Sequence, residues 1–379
     1  MSSMPADVDA WTMWRQARPA RNVIHLDSAA AGCTPTAVLD AVAAFARREA
    51  TDGAYVAAEG AAATTAGLRG DLAALLAVDA DGIAFTESAT TALAAALRVA
   101  PLQRGDVVAV ASTEWGPNLT AFAAAGLTTR PLAVDGAGSI DPAALRRALA
   151  DSPPAFVHVT HQASHRAVRH PLAAVAAVCR DAGVPLWVDV AQALGHGAVA
   201  VGADLAYGTS RKWLTGPRGV GFLAVAPSYR EHVRLDGPTA PRPGFGPLDG
   251  LESHEAHVAG RIGLATAVAA VRAIGTAAIG ARLDEVGRMT RGRLAEVPGW
   301  ELTDAVDAPG AITAVAPTGG QDVFAVRSRL LDEHGILTTP CATVRAPLDM
   351  DRPLLRISPH VDVTADELDA LAAALTELG

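Results

Sequence analysis

Asp204-Leu-Ala-Tyr-Gly-Thr-Ser-Arg-Lys-Trp213 opens as a short apolar strand and ends in polar side chains. Pro185-Leu-Trp-Val-Asp-Val-Ala-Gln192, just before it, does the same. Strands this apolar suit a parallel sheet covered on both faces. In open α/β sheets, ligands collect where such strands end. Asp189, Gln192, Thr209, Arg211 and Lys212 are therefore expected in one cleft. Lys212 stands out further because it is the only lysine in 379 residues. A bias toward arginine accounts for the missing lysines but not for the retained one.

The same pattern extends outward in both directions. Ile83-Ala-Phe-Thr, Asp106-Val-Val-Ala-Val-Ala and Phe156-Val-His-Val-Thr read as further strands, and 219–225 as one more, in the antiparallel sense. Helices are expected at 35–50, 54–78, 92–97 and 171–182, the last closed by Gly183. The alternation predicts a mostly parallel sheet between helices. Asp236 to Gly250 is rich in Pro and Gly and reads as a connection. A glycine-interrupted helical region at 255–296, short strands and a last helix at 364–378 then give a smaller α/β unit. A chain of this length exceeds one ordinary core. The expected division is an N-terminal segment (1–30) packing on the small domain and the active site, a large domain (31–245) and a small C-terminal domain (246–379).

Composition narrows the function. The net charge is -9, which disfavours electrostatic binding of nucleic acid. No apolar run reaches membrane-spanning length, and the first residues lack a secretory pattern, so no membrane role is expected. Cys33, Cys179 and Cys341 are odd in number and widely spaced, which suits a reducing cytoplasm better than a disulfide framework. His161, His165 and His170 match no common metal spacing, so no metal is expected. Gly216-Pro-Arg-Gly-Val-Gly221 has the wrong glycine spacing for a dinucleotide loop and leads into a strand.

The polar residues fit a pyridine-based cofactor. Thr86 to Thr91 link a strand to a helix and offer hydroxyls and free amides for a phosphate. Glu114-Trp115-Gly-Pro-Asn118 follows another strand and supplies an aromatic face. Asp189 suits a ring nitrogen. Lys212, with its pKa lowered by burial and by Arg211, suits an aldehyde.

These motifs resemble the fold-type I enzymes of the class V aminotransferase, or cysteine desulfurase-like, superfamily, which use pyridoxal 5'-phosphate. The resemblance runs from His25-Leu-Asp-Ser-Ala-Ala to Arg356-Ile-Ser. Phe85-Thr-Glu-Ser-Ala-Thr-Thr is similar to the family's phosphate loop, Val188-Asp-Val-Ala-Gln-Ala-Leu-Gly-His to its cofactor signature, and Thr209-Ser-Arg-Lys212 to its lysine motif. It implies phosphate contacts from Ala89, Thr90, Thr209 and Arg211, and stacking by Trp115. It implies a ring-nitrogen partner in Asp189, ring-hydroxyl contacts from Gln192 and His161, and Lys212 as cofactor anchor and base. Arg356 would bind the substrate α-carboxylate, with Ser28 and Tyr55 as further substrate contacts.

Gly53-Ala-Tyr-Val-Ala-Ala-Glu, Gly116-Pro-Asn-Leu, Ala163-Ser-His-Arg and Leu355-Arg-Ile-Ser-Pro-His-Val-Asp are similar to a carbon–sulfur lyase branch. That branch implies β-elimination from an amino-acid sulfoxide by a homodimer. A desulfurase is the alternative, with Cys341 as nucleophile. Thr339-Pro-Cys-Ala-Thr-Val-Arg345 lacks the expected Gly- and His-rich setting, and a buried inert thiol is the reading preferred here. A plain aminotransferase and a non-catalytic cofactor-binding protein are the remaining rivals.

Overall fold

The computed structural model describes residues 9–197, 199, 202–235, 248–253 and 255–379. The chain enters through α1 (Ala10–Gln16) and β1 (Ile24–His25), then forms α2 (Thr36–Asp52), α3 (Ala54–Gly60) and α4 (Ala62–Leu76). Strands and helices then alternate: β2 (Ile83–Thr86), α5 (Ala89–Val99), β3 (Val107–Val110), α6 (Gly116–Ala124), β4 (Thr128–Pro131), α7 (Pro142–Asp151), β5 (Phe156–Thr160), α8 (Leu172–Ala182) and β6 (Leu186–Asp189). Two strands follow directly, β7 (Leu205–Thr209) and β8 (Gly221–Val225). The seven strands β2 to β8 form one sheet in the order β2-β8-β7-β6-β5-β3-β4. Only β8 runs against its neighbours, β2 and β7. The mostly parallel α/β sheet expected from the sequence is present.

Side-chain alternation explains why these strands are apolar throughout. Leu186 and Val188 of β6 enter the core on one face of the sheet. Trp187 enters the core on the other, beside Phe156 and Tyr207. A strand buried on both faces has no polar side to show.

The remaining elements are α9 (Val258–Ile274), α10 (Thr276–Leu294), β9 (Trp300–Leu302), β10 (Thr313–Pro317), α11 (Val323–His334), β11 (Ile336–Leu337), β12 (Thr339–Cys341), β13 (Leu354–Ile357) and α12 (Ala365–Leu378). An antiparallel sheet has the order β12-β13-β10-β9. β1 pairs with β11, and the Ser28 amide donates to the Ser358 carbonyl at 2.8 Å. The chain next approaches the lysine: the Gly32 amide donates to the Arg211 carbonyl at 2.8 Å. A Cβ at Gly32 would lie 2.5 Å from the Lys212 carbonyl oxygen, so this approach requires glycine.

Several expectations need correction. The helix expected over 54–78 is two helices, broken at Ala61. Gly60 marks the break, but a single glycine inside an alanine-rich helical pattern does not by itself end the helix. The 255–296 region bends by 82° between α9 and α10, where Gly275 adopts φ 93°. No single helix among the described residues is long and apolar enough to cross a membrane. β4, α6 and α7 were not anticipated; β4 is an edge strand with no buried residue, so it lacks a strand's apolar signal. Most of the 236–250 connection lies outside the described residues.

The first turn of α5 depends on Gly221. A Cβ there would sit 2.4 Å from the Ser88 carbonyl carbon. Gly221→Ala should push the α5 N-terminus out of place and destabilise the fold by about 1–3 kcal/mol, the usual cost of overpacking. A thermal melt checks it; an unchanged midpoint would contradict this packing.

Candidate active site

The cleft lies at the carboxyl ends of the central strands. Its wall includes Ser88, Ala89 and Thr90 from the start of α5, Trp115 before α6, and Thr160 and Ser164 after β5. Asp189, Ala191 and Gln192 come from the end of β6, and Thr209, Arg211 and Lys212 from the end of β7. Eight of the positions predicted from sequence thus share one cleft: Ala89, Thr90, Trp115, Asp189, Gln192, Thr209, Arg211 and Lys212.

Each is held by local structure. Ser88 caps α5: its hydroxyl accepts from the Thr91 amide and the Thr91 hydroxyl answers at the Ser88 amide, in a capping box. This fixes the helix start and leaves the amides of the first turn, at Ala89 and Thr90, directed at the cleft. Asp189 Oδ1 accepts from the Ala191 amide at 2.8 Å, and Oδ2 accepts from Asn118 Nδ2 at 3.2 Å. Gln192 Oε1 accepts from the Trp213 indole at 2.8 Å. Its Nε2 donates one hydrogen to the Ala29 carbonyl at 2.9 Å, which leaves the second for the cleft.

Electrostatics set the amine apart. Burial pushes Lys212 down to about 7; Asp189 opposes this, while Arg211, Arg356 and Arg345 add to it. The neutral amine is thereby populated near pH 7 by roughly three orders of magnitude more than in a free lysine. Burial pushes Asp189 above the usual carboxylate range, and Lys212, the Ala191 amide and His158 pull it back.

Four predicted residues lie off the cleft wall. Tyr55 was expected to contact substrate, but it is the second residue of α3 and is 79% exposed. Ala57 and Ala61 form the buried side there, with Phe45 and Ala259, so Tyr55 faces away from its own chain's cleft. His161 was expected near a ring hydroxyl. At the end of β5, Thr160 directs its hydroxyl to Glu114, and the alternation sends His161 the other way. Burial, then Arg169 and His170, push the His161 imidazole down to about 3. Ser28 is buried behind the wall, its hydroxyl without a partner among the described residues.

Arg356 is also one layer back. Its Nη1 donates to the Ser164 carbonyl at 2.7 Å, and its Nη2 pairs with Asp27 Oδ1 at 3.0 Å. Its Nε has no partner among the described residues. Sequence reading did not assign Asp27, Glu114, Asn118, Thr160 or Ser164. The one signal was that Glu114 and Asn118 flank the start of α6, Glu114 just before its N-cap and Asn118 in its first turn.

A larger surface hollow borders α1 and is lined by Arg15, Arg18, Arg21 and His334. Arg15 and Arg21 are already paired with Asp362, and Arg15 also with Glu367. It contains no nucleophile beside a base, and the chemistry belongs to the Lys212 cleft.

A buried lysine whose amine is partly neutral near pH 7, beside a buried carboxylate in a cleft bordered by a helix N-terminus, defines a pyridoxal phosphate site of fold-type I. The chain belongs to the class V aminotransferase family, whose model matches residues 24–371. It is 46% identical, over 99% of its length and 95% of the relative's, to a probable hercynylcysteine sulfoxide lyase of Mycobacterium tuberculosis. It is 31% identical to a cysteine desulfurase of Dickeya dadantii, over 93% of this chain and 90% of that one. The fold superposes on the apo cysteine desulfurase of Thermococcus onnurineus with a TM-score of 0.87, covering 100% and 99% of the two chains at 20% identity.

The residues fit the family's cofactor. The α5 amides with Thr90, Thr209 and Arg211 would hold the phosphate, and Trp115 the ring face. Asp189 would pair with the ring nitrogen, Gln192 would contact the ring hydroxyl, and Lys212 would carry the aldehyde carbon. Asp189 is the observation that tests this fit: a buried carboxylate turned into a cleft, raised by burial, wants a cationic partner such as a pyridinium.

Proposed function

We propose that the protein is a carbon–sulfur lyase acting on hercynylcysteine sulfoxide. When bound, pyridoxal phosphate supplies an electron sink for negative charge at Cα. Lys212, freed as a neutral amine, removes the α-proton. Arg356, on exchanging its pairing with Asp27 for the substrate, orients the α-carboxylate, and Asp189 would keep the ring nitrogen positively charged. The β carbon–sulfur bond breaks and the sulfur leaves as a sulfenic acid, a better leaving group than a thiol. One water then converts the three-carbon remainder to pyruvate and ammonia. Two thiol equivalents then reduce the sulfenic acid to ergothioneine in a separate step, leaving as a disulfide with one water released.

Cys341 carries the choice between lyase and desulfurase. It is 0% exposed, sits on β12 opposite Leu354, and packs among Ala314, Ala316, Ala346 and Met350. A thiol in a paired strand and an apolar cluster cannot reach a substrate sulfur. Among the described residues no cysteine lines the cleft. Burial raises Cys179 to about 12 and also raises Cys33, so neither is a ready nucleophile.

The same reading makes the working unit a cytoplasmic homodimer. Three unbridged thiols support a reducing compartment. Tyr55 and Val56, 79% and 55% exposed at the start of α3, are apolar side chains that a second copy would cover. Sedimentation of the purified protein tests the dimer.

The decisive assay offers the purified enzyme hercynylcysteine sulfoxide or cysteine and follows pyruvate. Pyruvate is expected from the sulfoxide, and neither pyruvate nor alanine and sulfide from cysteine; release of alanine and sulfide from cysteine, without pyruvate from the sulfoxide, would refute the assignment. Cys341→Ala is expected to leave sulfoxide turnover unchanged. A desulfurase would lose its activity with that thiol.

A further inference from the structure

Glu114 lies behind the cleft, is 0% exposed, and belongs to none of the roles above. Its Oε1 accepts three hydrogen bonds: from the Trp115 amide at 3.0 Å, Asn118 Nδ2 at 2.8 Å and the Thr160 hydroxyl at 2.6 Å. Its Oε2 accepts from His158 Nδ1 at 2.8 Å, and the Tyr207 hydroxyl meets His158 Nε2 at 2.9 Å. A fully buried carboxylate is costly unless its lone pairs are used. Here burial pushes Glu114 up, but His158, Thr160 and Asn118 outweigh it and leave the carboxyl below the usual range.

Two of these donors reach the cofactor cradle. Trp115 forms one wall, and its backbone is tied to Glu114. Asn118 divides its amide hydrogens between two carboxylates, giving one to Glu114 and one to Asp189 Oδ2. The opposite amide orientation would point a carbonyl oxygen at both anions, so chemistry fixes the orientation. Glu114 thus dictates where the second hydrogen of Asn118 points.

We propose that Glu114 is a positioning residue for the cofactor: acting through Asn118 it aims the Asp189 carboxylate at the ring nitrogen, and through its own Oε1 it fixes the stacking residue Trp115. His158 and Tyr207 anchor it from the same face of the sheet, further from the strand ends. The inference rests on the cleft being the cofactor site and is independent of which sulfur substrate is used. The carboxylate that needs help is Asp189, because Ala191 supplies its only other hydrogen bond among the described residues. One partner at one oxygen leaves such a group free to turn; a second, at the other oxygen, fixes its plane.

The test compares full-length wild type with Glu114→Gln and Asn118→Leu, both close in shape to the originals. Pyridoxal phosphate affinity is measured by equilibrium dialysis, the absorbance of the bound cofactor is titrated with pH, and kcat and KM are taken separately. Both variants are expected to bind the cofactor about tenfold more weakly, as when the supporting partner of a metal ligand is removed. The absorbance midpoint should shift and kcat fall, while KM stays unchanged. Val99→Ala, a core change on the same side of the sheet with no contact to this network, controls for loss of stability. Variants that only melt earlier, with wild-type affinity and midpoint, would overturn the proposal, as would equal losses in Val99→Ala. Wild type that fails to retain the cofactor would instead refute the site assignment.

Discussion

Lys212→Ala is expected to lose turnover by about four orders of magnitude, the upper range for a lost general base, and to lose covalent attachment of the cofactor with it. The chain makes this test unusually clean. Lys212 is the only lysine, so no neighbouring side-chain amine can take over. Borohydride reduction of the wild-type enzyme followed by peptide mapping should place the cofactor on the peptide containing Lys212. Label elsewhere, or turnover surviving in the variant, would remove the central assignment.

The same residue predicts a pH dependence of the cofactor-free protein. Burial lowers Lys212 to about 7, while the unfolded chain holds an ordinary lysine. Below about 7 both states carry the charge, and the fold bears its full desolvation cost. As pH rises from about 7 toward 10.5, the native amine sheds its proton and the unfolded one keeps it. The unfolded state then binds more protons, so stability rises across that window. Lys212→Met should flatten this rise in urea unfolding of the apoprotein. Equal slopes in the two proteins would mean that the amine is not buried as described.

Much of this site was legible in the sequence because two physical signals coincide there. A strand covered on both faces is apolar to its last residue, so Asp189 and Thr209 announce the sheet's carboxyl edge by contrast. The lone lysine marks which edge matters. The supporting layer was not legible for the opposite reason. Glu114, after β3, is satisfied by His158 and His158 by Tyr207, in the middle of β5 and β7, and no spacing in the chain links residues 44 or 49 positions apart. Tyr55 and His161 were misplaced by the same limitation. Similar motifs gave their positions in the chain, but one residue of strand alternation at β5 and the turn from α2 into α3 decided where the side chains point. Arg356 sits between these cases: its motif was recognised, its ion pair with Asp27 was not, because that contact joins residues 329 apart.

Asp189→Asn is expected to lower kcat by about 10²–10³, the effect of losing one preorganised electrostatic partner, with a smaller effect on KM. The Asn118 and Ala191 donors face Asp189 and favour an anion there. Substituting an amide removes the charge while keeping the size, so a cationic ring nitrogen loses its counter-charge. Its NH₂ group would also meet a donor that the carboxylate had accepted, either Asn118 or the Ala191 amide. Lys212 loses in addition the one group that pulls its pKa upward, so its pKa should fall below about 7. The variant should therefore hold the cofactor on Lys212 but turn over slowly, with an acid limb of its pH–rate profile displaced to lower pH. Asp189→Glu, which restores the charge one methylene further out, should recover part of kcat only if the carboxylate acts by charge; recovery by Asn but not by Glu would reduce Asp189 to a packing role.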